Sequence, residues 1–367
     1  MRLNVTRDDL LKALSVAGGV VERRQSQPIL THVLMEAGDG EIVLTGTDLE
    51  VEVVARCPAQ VSEPGKVTVP GRKFLDIVRT LPAESVLQCQ IDAGRFRVVM
   101  GKSRFQLATL PVDDFPNLMN VRWDTALHVA RADMRRVLEK TQFCMAQQDV
   151  RYYLNGVMLE MAGRSLRAVG ADGHRLAFCA TGLNTEVAEE RQVIVPRKAI
   201  GEMTRFLGDT RDPIELSLSA NHIRVTQDQV VFVSKLVDGR FPDYHRVIPQ
   251  TVKYEVVLGR AAMLAMLGRV GVVSTEKFRG IRLRFQGHTV AANATNVDRD
   301  EAWEELETDG ALPEMETGFN VSYLVEAISA LEEDEFQFGW SDNNGAVRLK
   351  AAKTGDDQVY VVMPVRL

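Results

Sequence analysis

The sequence is poor in the residues that mark redox, metal and hydrolytic chemistry. Of 367 residues only four are cysteine, and Cys57, Cys89, Cys144 and Cys179 form no C-x-x-C pair. That spacing suits neither a disulfide framework nor a zinc site, so the four read as small buried hydrophobes. Six histidines leave few candidates for acid/base work, and no H-E-x-x-H, G-x-S-x-G or G-x-G-x-x-G occurs. The nearest approach to a phosphate-binding loop, Pro64-Gly65-Lys66-Val67, has Gln60 where the first glycine belongs and valine where Ser or Thr would hold magnesium. Long apolar runs are missing too. Val230 to Val233 and Val270 to Val273 are far shorter than the roughly 18 residues that span a bilayer. Asp8 and Asp9 interrupt any signal-peptide core, which predicts a cytoplasmic protein with no membrane partner. An excess of basic charge is also absent, since the net charge is −6.

What is present is ordinary material for packed cores, 45% hydrophobic and 26% charged. The length gives two to three domains at about 150 residues each. The chain also repeats itself. Val67-Thr68-Val69-Pro70-Gly71-Arg72-Lys73 resembles Val193-Ile194-Val195-Pro196-Arg197-Lys198, and the prolines lie 126 apart. Phe115-Pro116 and Phe241-Pro242 share that period of 126. Between them, Phe74, Ile77, Val78 and Leu81 at helical spacing shift onto Ile200, Met203, Thr204 and Leu207. A third copy is expected over Phe319 to Ile328, with Ser322 opposite Pro196, and a closing strand from Val359 to Pro364.

Each copy opens with a predicted helix, Thr6 to Ala17, Arg131 to Phe143 and Arg260 to Val270. Strands follow, such as Ile42 to Leu44 with Val51 to Ala55, and Val157 to Met161 with Leu166 to Val169. Asp48 and Asp172, 124 apart, sit in equivalent turns. The pattern predicts an α+β fold of three repeated domains, 1–122, 123–250 and 251–367, each with two helices packed on antiparallel sheet.

Charge is partitioned between these elements. The windows 6–24, 71–80, 130–141, 196–206 and 259–278 carry +9 together, leaving −15 on the rest, while the sixth helix, 320–331, carries −1. Positive helices in an acidic chain suit sequence-neutral phosphate contact. They are equally the expected dress of solvated helix faces. His174 beside Asp172 is the most suggestive acid/base candidate, for instance in a hydrolase with a pocket near Arg246, yet neighbours in one turn make no acid/base pair. Arg151-Tyr152-Tyr153 could touch phosphate and stack on bases, or simply begin a strand. The apolar end Val361-Val362-Met363-Pro364-Val365-Arg366-Leu367 is either a strand in its own core or the wall of a groove for a partner peptide.

Six segments resemble the bacterial sliding clamp family, the β subunits of DNA polymerase III. They are Leu44-Thr45-Gly46-Thr47-Asp48-Leu49-Glu50, Asp149-Val150-Arg151-Tyr152-Tyr153-Leu154-Asn155-Gly156, Asp172-Gly173-His174-Arg175-Leu176-Ala177, the run from Ser234 to Tyr244, Glu276-Lys277-Phe278-Arg279-Gly280 and the run from Tyr360 to Leu367. The resemblance covers essentially the whole chain. It implies a non-enzymatic processivity factor without cofactor or metal, a homodimer closed head to tail around double-stranded DNA. It further implies as partners the replicative polymerase's catalytic subunit, a clamp loader, and other polymerases and mismatch-repair proteins that carry a clamp-binding peptide.

By the same resemblance Arg24, Arg72, Gln148, Tyr152 and Tyr153 touch DNA. A peptide carrying glutamine and hydrophobic residues enters a groove at Leu154, at the turn Gly173-His174-Arg175-Leu176, at Pro242, Arg246 and Val247, and at Val361, Met363, Pro364, Val365 and Arg366. The ring closes with Phe105 and Leu107 of one protomer near Val272 and Val273 of the other. Asp298, Asp300, Glu301 and Glu304 would then meet Lys73 or Arg104. Ala171, Gln147 and Val365 depart from the family's usual Thr, His and Met, and a valine in place of the flexible thioether implies a groove that adapts less.

Overall fold

A computed structural model describes residues 1–22, 27–116, 121–274, 279–353, 355 and 357–366. Among them are six α-helices, two in each sequence copy. These are α1 (Arg7–Ala17), α2 (Gly71–Thr80), α3 (Arg131–Glu139), α4 (Arg197–Phe206), α5 (Arg260–Gly271) and α6 (Val321–Ala330). Local chemistry sets their ends. The Thr6 side chain accepts from the Asp9 N–H at 3.2 Å, and Asp8 and Asp9 place negative charge at the positive end of α1. Asn320 caps α6 by accepting from the Ser322 N–H. Helix α3 stops at Glu139, short of the expected Phe143. Thr141 Oγ1 donates back to the carbonyls of Val137 and Leu138, competing with the helical ladder, and a 3₁₀ turn follows at Gln142–Cys144.

All strand pairs are antiparallel, and the helices and sheets make the α+β fold that the repeats predict. The described residues fall into two compact units. The first comprises Met1–Arg135, Leu183–Glu186 and Lys198–Leu236. It holds a five-stranded sheet in the order Gln60–Glu63, Arg2–Thr6, Val86–Asp92, Arg95–Met100, Ser103–Ala108, and an eight-stranded one running from Thr125–Ala130 to Gly65–Pro70. Its core closes where α1 packs on α2 and Phe74 meets Phe96 edge to face at 5.3 Å.

The second unit comprises Arg136–Gly182, Val187–Arg197 and Val237–Leu367. Its six-stranded sheet runs Gly156–Ala171, Arg175–Pro196, Gln358–Val362, Val347–Ala351, Glu335–Trp340, Tyr254–Gly259, and a two-stranded sheet pairs Gly280–Thr295 with Glu301–Asn320. Phe285, Phe338 and Trp340 fill its core beneath α5 and α6.

Strand pairing explains why the units do not follow the sequence repeats. Val230–Lys235 of the second copy pairs with Val51–Pro58 of the first, placing Phe232 opposite Val53. Arg175–Pro196 likewise pairs with Gln358–Val362 of the third copy, placing Leu176 opposite Val361. Each unit is thus sewn by a sheet shared between two copies.

Several expectations are corrected in detail. Val157–Met161 and Leu166–Val169 belong to one strand of 16 residues, bent where the register slips around Gly163 at φ 56°. The last strand ends at Val362, because Pro364 has no N–H to give a ladder. In the third copy the strand–helix junction falls on Asn320, not Ser322, so the second period is 124 rather than 126.

The turn equivalence holds at the level of single bonds. Asp48 Oδ1 accepts from the N–H groups of Glu50 and Val51, and Asp172 Oδ1 from those of His174 and Arg175. A third such turn lies 124 residues on, where Asn296 Oδ1 accepts from Asp298 and Asp300. Short polar side chains that mimic a backbone turn are what these positions share.

One buried group opposes this order. Glu52, 5% exposed and opposite Val233, has a carboxyl pushed up by burial to about 7. A raised carboxylate pKa means that stability falls as pH rises from about 4.5 and levels off above 7. Glu52→Gln removes the ionisation and is expected to stabilise by about 2–3 kcal/mol at pH 8 and by nearly nothing at pH 4.5. Urea unfolding at both values checks this, and parallel wild-type and variant profiles would contradict it.

Candidate partner-binding groove

The second unit contains an apolar cavity of about 290 Å³ built from four segments. Leu154, Leu176, Phe241, Tyr244 and Val361 are buried side chains of one cluster, and they supply its floor and inner wall. The Asp172 turn provides the rim. Gly173 stands there at φ 90°, and a Cβ at this position would lie 2.7 Å from the Arg151 guanidinium. The left-handed backbone favours glycine here, and a Cβ would also push the Arg151 guanidinium aside.

Arg151 holds the entrance. Its Nε and NH2 donate to Asp149 at 3.0 and 2.8 Å, and NH2 also reaches the Asp172 carbonyl at 3.0 Å. These charge-assisted bonds hold the Asp149 carboxyl down at about 2. The loop is closed below by Asn155, whose amide exchanges bonds with the Asp149 backbone N–H and carbonyl. Opposite, Met363 extends over the mouth, fixed by its N–H donating to the His174 carbonyl at 2.8 Å.

Tyr244 is anchored by a buried polar network. Its hydroxyl donates to Glu160 Oε1 at 3.0 Å, and Glu160, 2% exposed, also accepts from Arg167 and Gln192. Burial first, then the adjacent Glu160 charge, pushes the phenol up to about 12. Tyr244→Phe leaves that network one donor short and is expected to cost about 1–3 kcal/mol. Thermal unfolding measures it, and an unchanged midpoint would show the bond to be dispensable.

Of the expected groove residues, Leu154, Gly173, Arg175, Leu176, Pro242, Val247, Val361 and Met363 line the cavity. His174, Arg246, Pro364, Val365 and Arg366 do not. The His174 ring stacks on Tyr323 at 6.4 Å, Arg246 pairs with Asp243, and the Val365 N–H donates to the Gly318 carbonyl. The expected effect of valine at 365 on adaptability therefore has no seat at the cavity wall. Ala171, by contrast, is part of it. The Asp172 carboxylate is taken up by the turn and by Arg175 Nε at 3.0 Å, leaving it no role in orienting His174 as a base. Arg151, Phe241 and Tyr244 line the cavity too and were not among the expected groove residues, and Tyr153, expected at DNA, also lines it. Phe241 and Tyr244 flank the quoted Pro242, so the signal for them was an aromatic on either side of a turn proline.

The DNA-contact candidates are distributed differently. Arg24 lies outside the described residues. Arg72, in the first unit, donates to the carbonyls of Val21 and Gly19, which ties much of its guanidinium to the segment that follows α1. In the second unit Gln148 is exposed at φ 55° and Tyr152 is 58% exposed, against Tyr153 with ring centroids 5.9 Å apart.

At the expected ring edge, Ser103–Ala108 is the outermost strand of its sheet, and among the described residues it pairs only with Arg95–Met100. Leu107 is turned inward and 5% exposed, and Phe105 is half-buried on the same core face, so the edge offers its backbone groups rather than these side chains. Val272 is 81% exposed and Val273 half-buried after α5. No helix among the described residues is long and apolar enough to cross a membrane.

Comparison with known proteins gives one answer along the whole chain. Three family models match in order, described as the DNA polymerase III beta subunit's N-terminal domain over residues 1–119, its central domain over 128–243 and its C-terminal domain over 245–366. The beta sliding clamps of Pseudomonas putida and Escherichia coli K12 are 43% and 41% identical, each covering all of this chain and of their own. A crystal structure of the sliding clamp from Pseudomonas aeruginosa bound to griselimycin superposes with a TM-score of 0.96 at 41% identity, again over the full length of both chains. That of the Caulobacter crescentus sliding clamp gives 0.93 at 30%.

Proposed function

The chain belongs to the DNA polymerase III beta subunit family, and on that premise we propose that it is a DNA polymerase processivity factor: a non-catalytic, homodimeric ring that encircles duplex DNA inside the cell. Its three domains meet near residues 122 and 250. Two protomers close by pairing the strand Ser103–Ala108 of one with the Val272 and Glu301 region of the other. The exposed Tyr152 and Gln148, with Tyr153, Arg24 and Arg72, meet the DNA backbone without reading sequence. Because topology provides retention, these contacts need only be weak enough to slide.

The observation that carries the partner side of this reading is the apolar groove under Met363. A preformed pocket with a buried aliphatic and aromatic floor and a rim of fixed backbone suits a short hydrophobic peptide. The replicative polymerase, the clamp loader and repair proteins would compete for it by presenting glutamine and apolar side chains. Primer extension on a long singly primed template tests the function. Products much longer than those of the polymerase alone are expected only when this protein, a clamp loader and ATP are all present, and product length unaffected by the protein would overturn the reading.

A further inference from the structure

The first and third copies differ at one place where their repeat makes them comparable. In the first, Arg2–Thr6 is hydrogen-bonded on one side to Val86–Asp92 and on the other to Gln60–Glu63, with Leu3 opposite Val61. Its counterpart in the third copy, Tyr254–Gly259, precedes α5 as Arg2–Thr6 precedes α1, and pairs with Glu335–Trp340. Among the described residues no ladder forms on its other side. The stretch that corresponds to Gln60–Glu63 lies where the pairing of Gly280–Thr295 with Glu301–Asn320 slips, between Glu307 and Leu312. Between the two edges is a cleft of about 590 Å³.

The cleft combines an open strand edge with apolar and acidic lining. Val257, 52% exposed, lines it together with the partly buried Leu306 and Leu312. Glu255 and Val257 occupy alternate, outward positions on the strand, and Glu335 lies opposite Gly259. Glu255 is paired with Arg348 at 3.0 Å, whereas Glu307 and Glu335 have no ionic partner among the described residues. Six residues of extended chain, at about 3.3 Å each, match the length of the edge.

We infer that this cleft is a docking site for an extended, cationic segment of a partner protein, which adds as a strand along Tyr254–Gly259. Main-chain bonds to the open edge provide affinity, as in other strand-addition complexes. Side-chain alternation provides selectivity: an apolar residue at i+2 would meet Val257, and cations at i and i+4 would reach for Glu307 and Glu335, since Glu255 is already held by Arg348. The inference uses none of the residues assigned to DNA or to the groove, so it stands or falls separately from the clamp reading.

The probe is the fluorescein-labelled peptide Thr-Lys-Thr-Val-Thr-Lys-Thr, compared with Lys-Lys-Thr-Thr-Thr-Val-Thr of the same composition, on the full-length protein. The alternating peptide is expected to bind at least tenfold tighter by anisotropy and to slow hydrogen exchange at the amides of Glu255, Val257 and Gly259, which face away from Glu335–Trp340. The double variant Glu307→Lys and Glu335→Lys, both at exposed positions, is expected to lose at least tenfold. Equal binding of the two peptides would overturn the inference, showing mere attraction to an acidic surface. So would protection of the Glu255, Val257 and Gly259 amides without peptide, because these alternate with the amides bonded to Glu335–Trp340 and the two edges would then close on each other.

Discussion

Gly170→Ala is expected to destabilise the protein by about 2–4 kcal/mol, far more than a surface glycine would. A Cβ at Gly170 would lie 2.3 Å from the Thr141 carbonyl oxygen, and both partners are backbone that cannot rotate away. The repeat makes the prediction sharper. Gly46, 124 residues earlier, would place its Cβ 2.0 Å from the Ala17 carbonyl oxygen, so Gly46→Ala should behave alike. The third copy has Ala294 at the corresponding position, buried and accommodated, so Ala294→Gly should cost only about 1 kcal/mol from chain entropy and lost packing. Urea denaturation of the three variants decides the matter. Equal, small losses at all three would show that the strand and the preceding helix separate easily, contrary to the packing described.

Val247→Asp is expected to weaken binding of a partner peptide by at least tenfold, about 1.4 kcal/mol, while leaving the fold intact. Val247 is 41% exposed and lines the cavity, so a carboxylate is tolerated by the free protein but must be desolvated against an apolar ligand. Anisotropy of a labelled peptide carrying glutamine and two hydrophobic residues measures the loss. Arg246→Ala provides the contrast. Its side chain is 86% exposed, pairs with Asp243 and does not line the cavity, so its effect should be less than threefold. An unchanged affinity in Val247→Asp would place the peptide elsewhere.

The features legible in the sequence were those with a local cause. Apolar residues at helical spacing, a capping Thr6 and the Asp48 and Asp172 turns each act within a few residues, and their positions survive in the structure. The third turn escaped because Asn296 replaces aspartate and its loop is one residue longer, although the side chain does the same work. The strands Gly156–Ala171 and Arg175–Pro196 were too long to foresee. Register shifts around Gly163 let the pairing run on as one long ladder, and nothing in alternation alone reports that. The groove floor was half visible. Leu176 and Val361 were found with the motifs around them, but Tyr244 depends on a bond to Glu160, 84 residues away in the chain. Leu107 lies on an edge strand with its side chain turned into the core, a direction that position in the sequence alone does not report.

The most direct test of a protein ring on DNA is topological. The protein is loaded onto nicked circular plasmid with a clamp loader and ATP, half the sample is linearised, and both halves are gel-filtered in moderate salt. Retention on the circle with loss from the linear DNA is the expected result, since a ring slides off free ends whatever its affinity for phosphates. Equal loss from both, growing with salt as counterion release requires, would contradict encirclement and leave only ordinary surface binding.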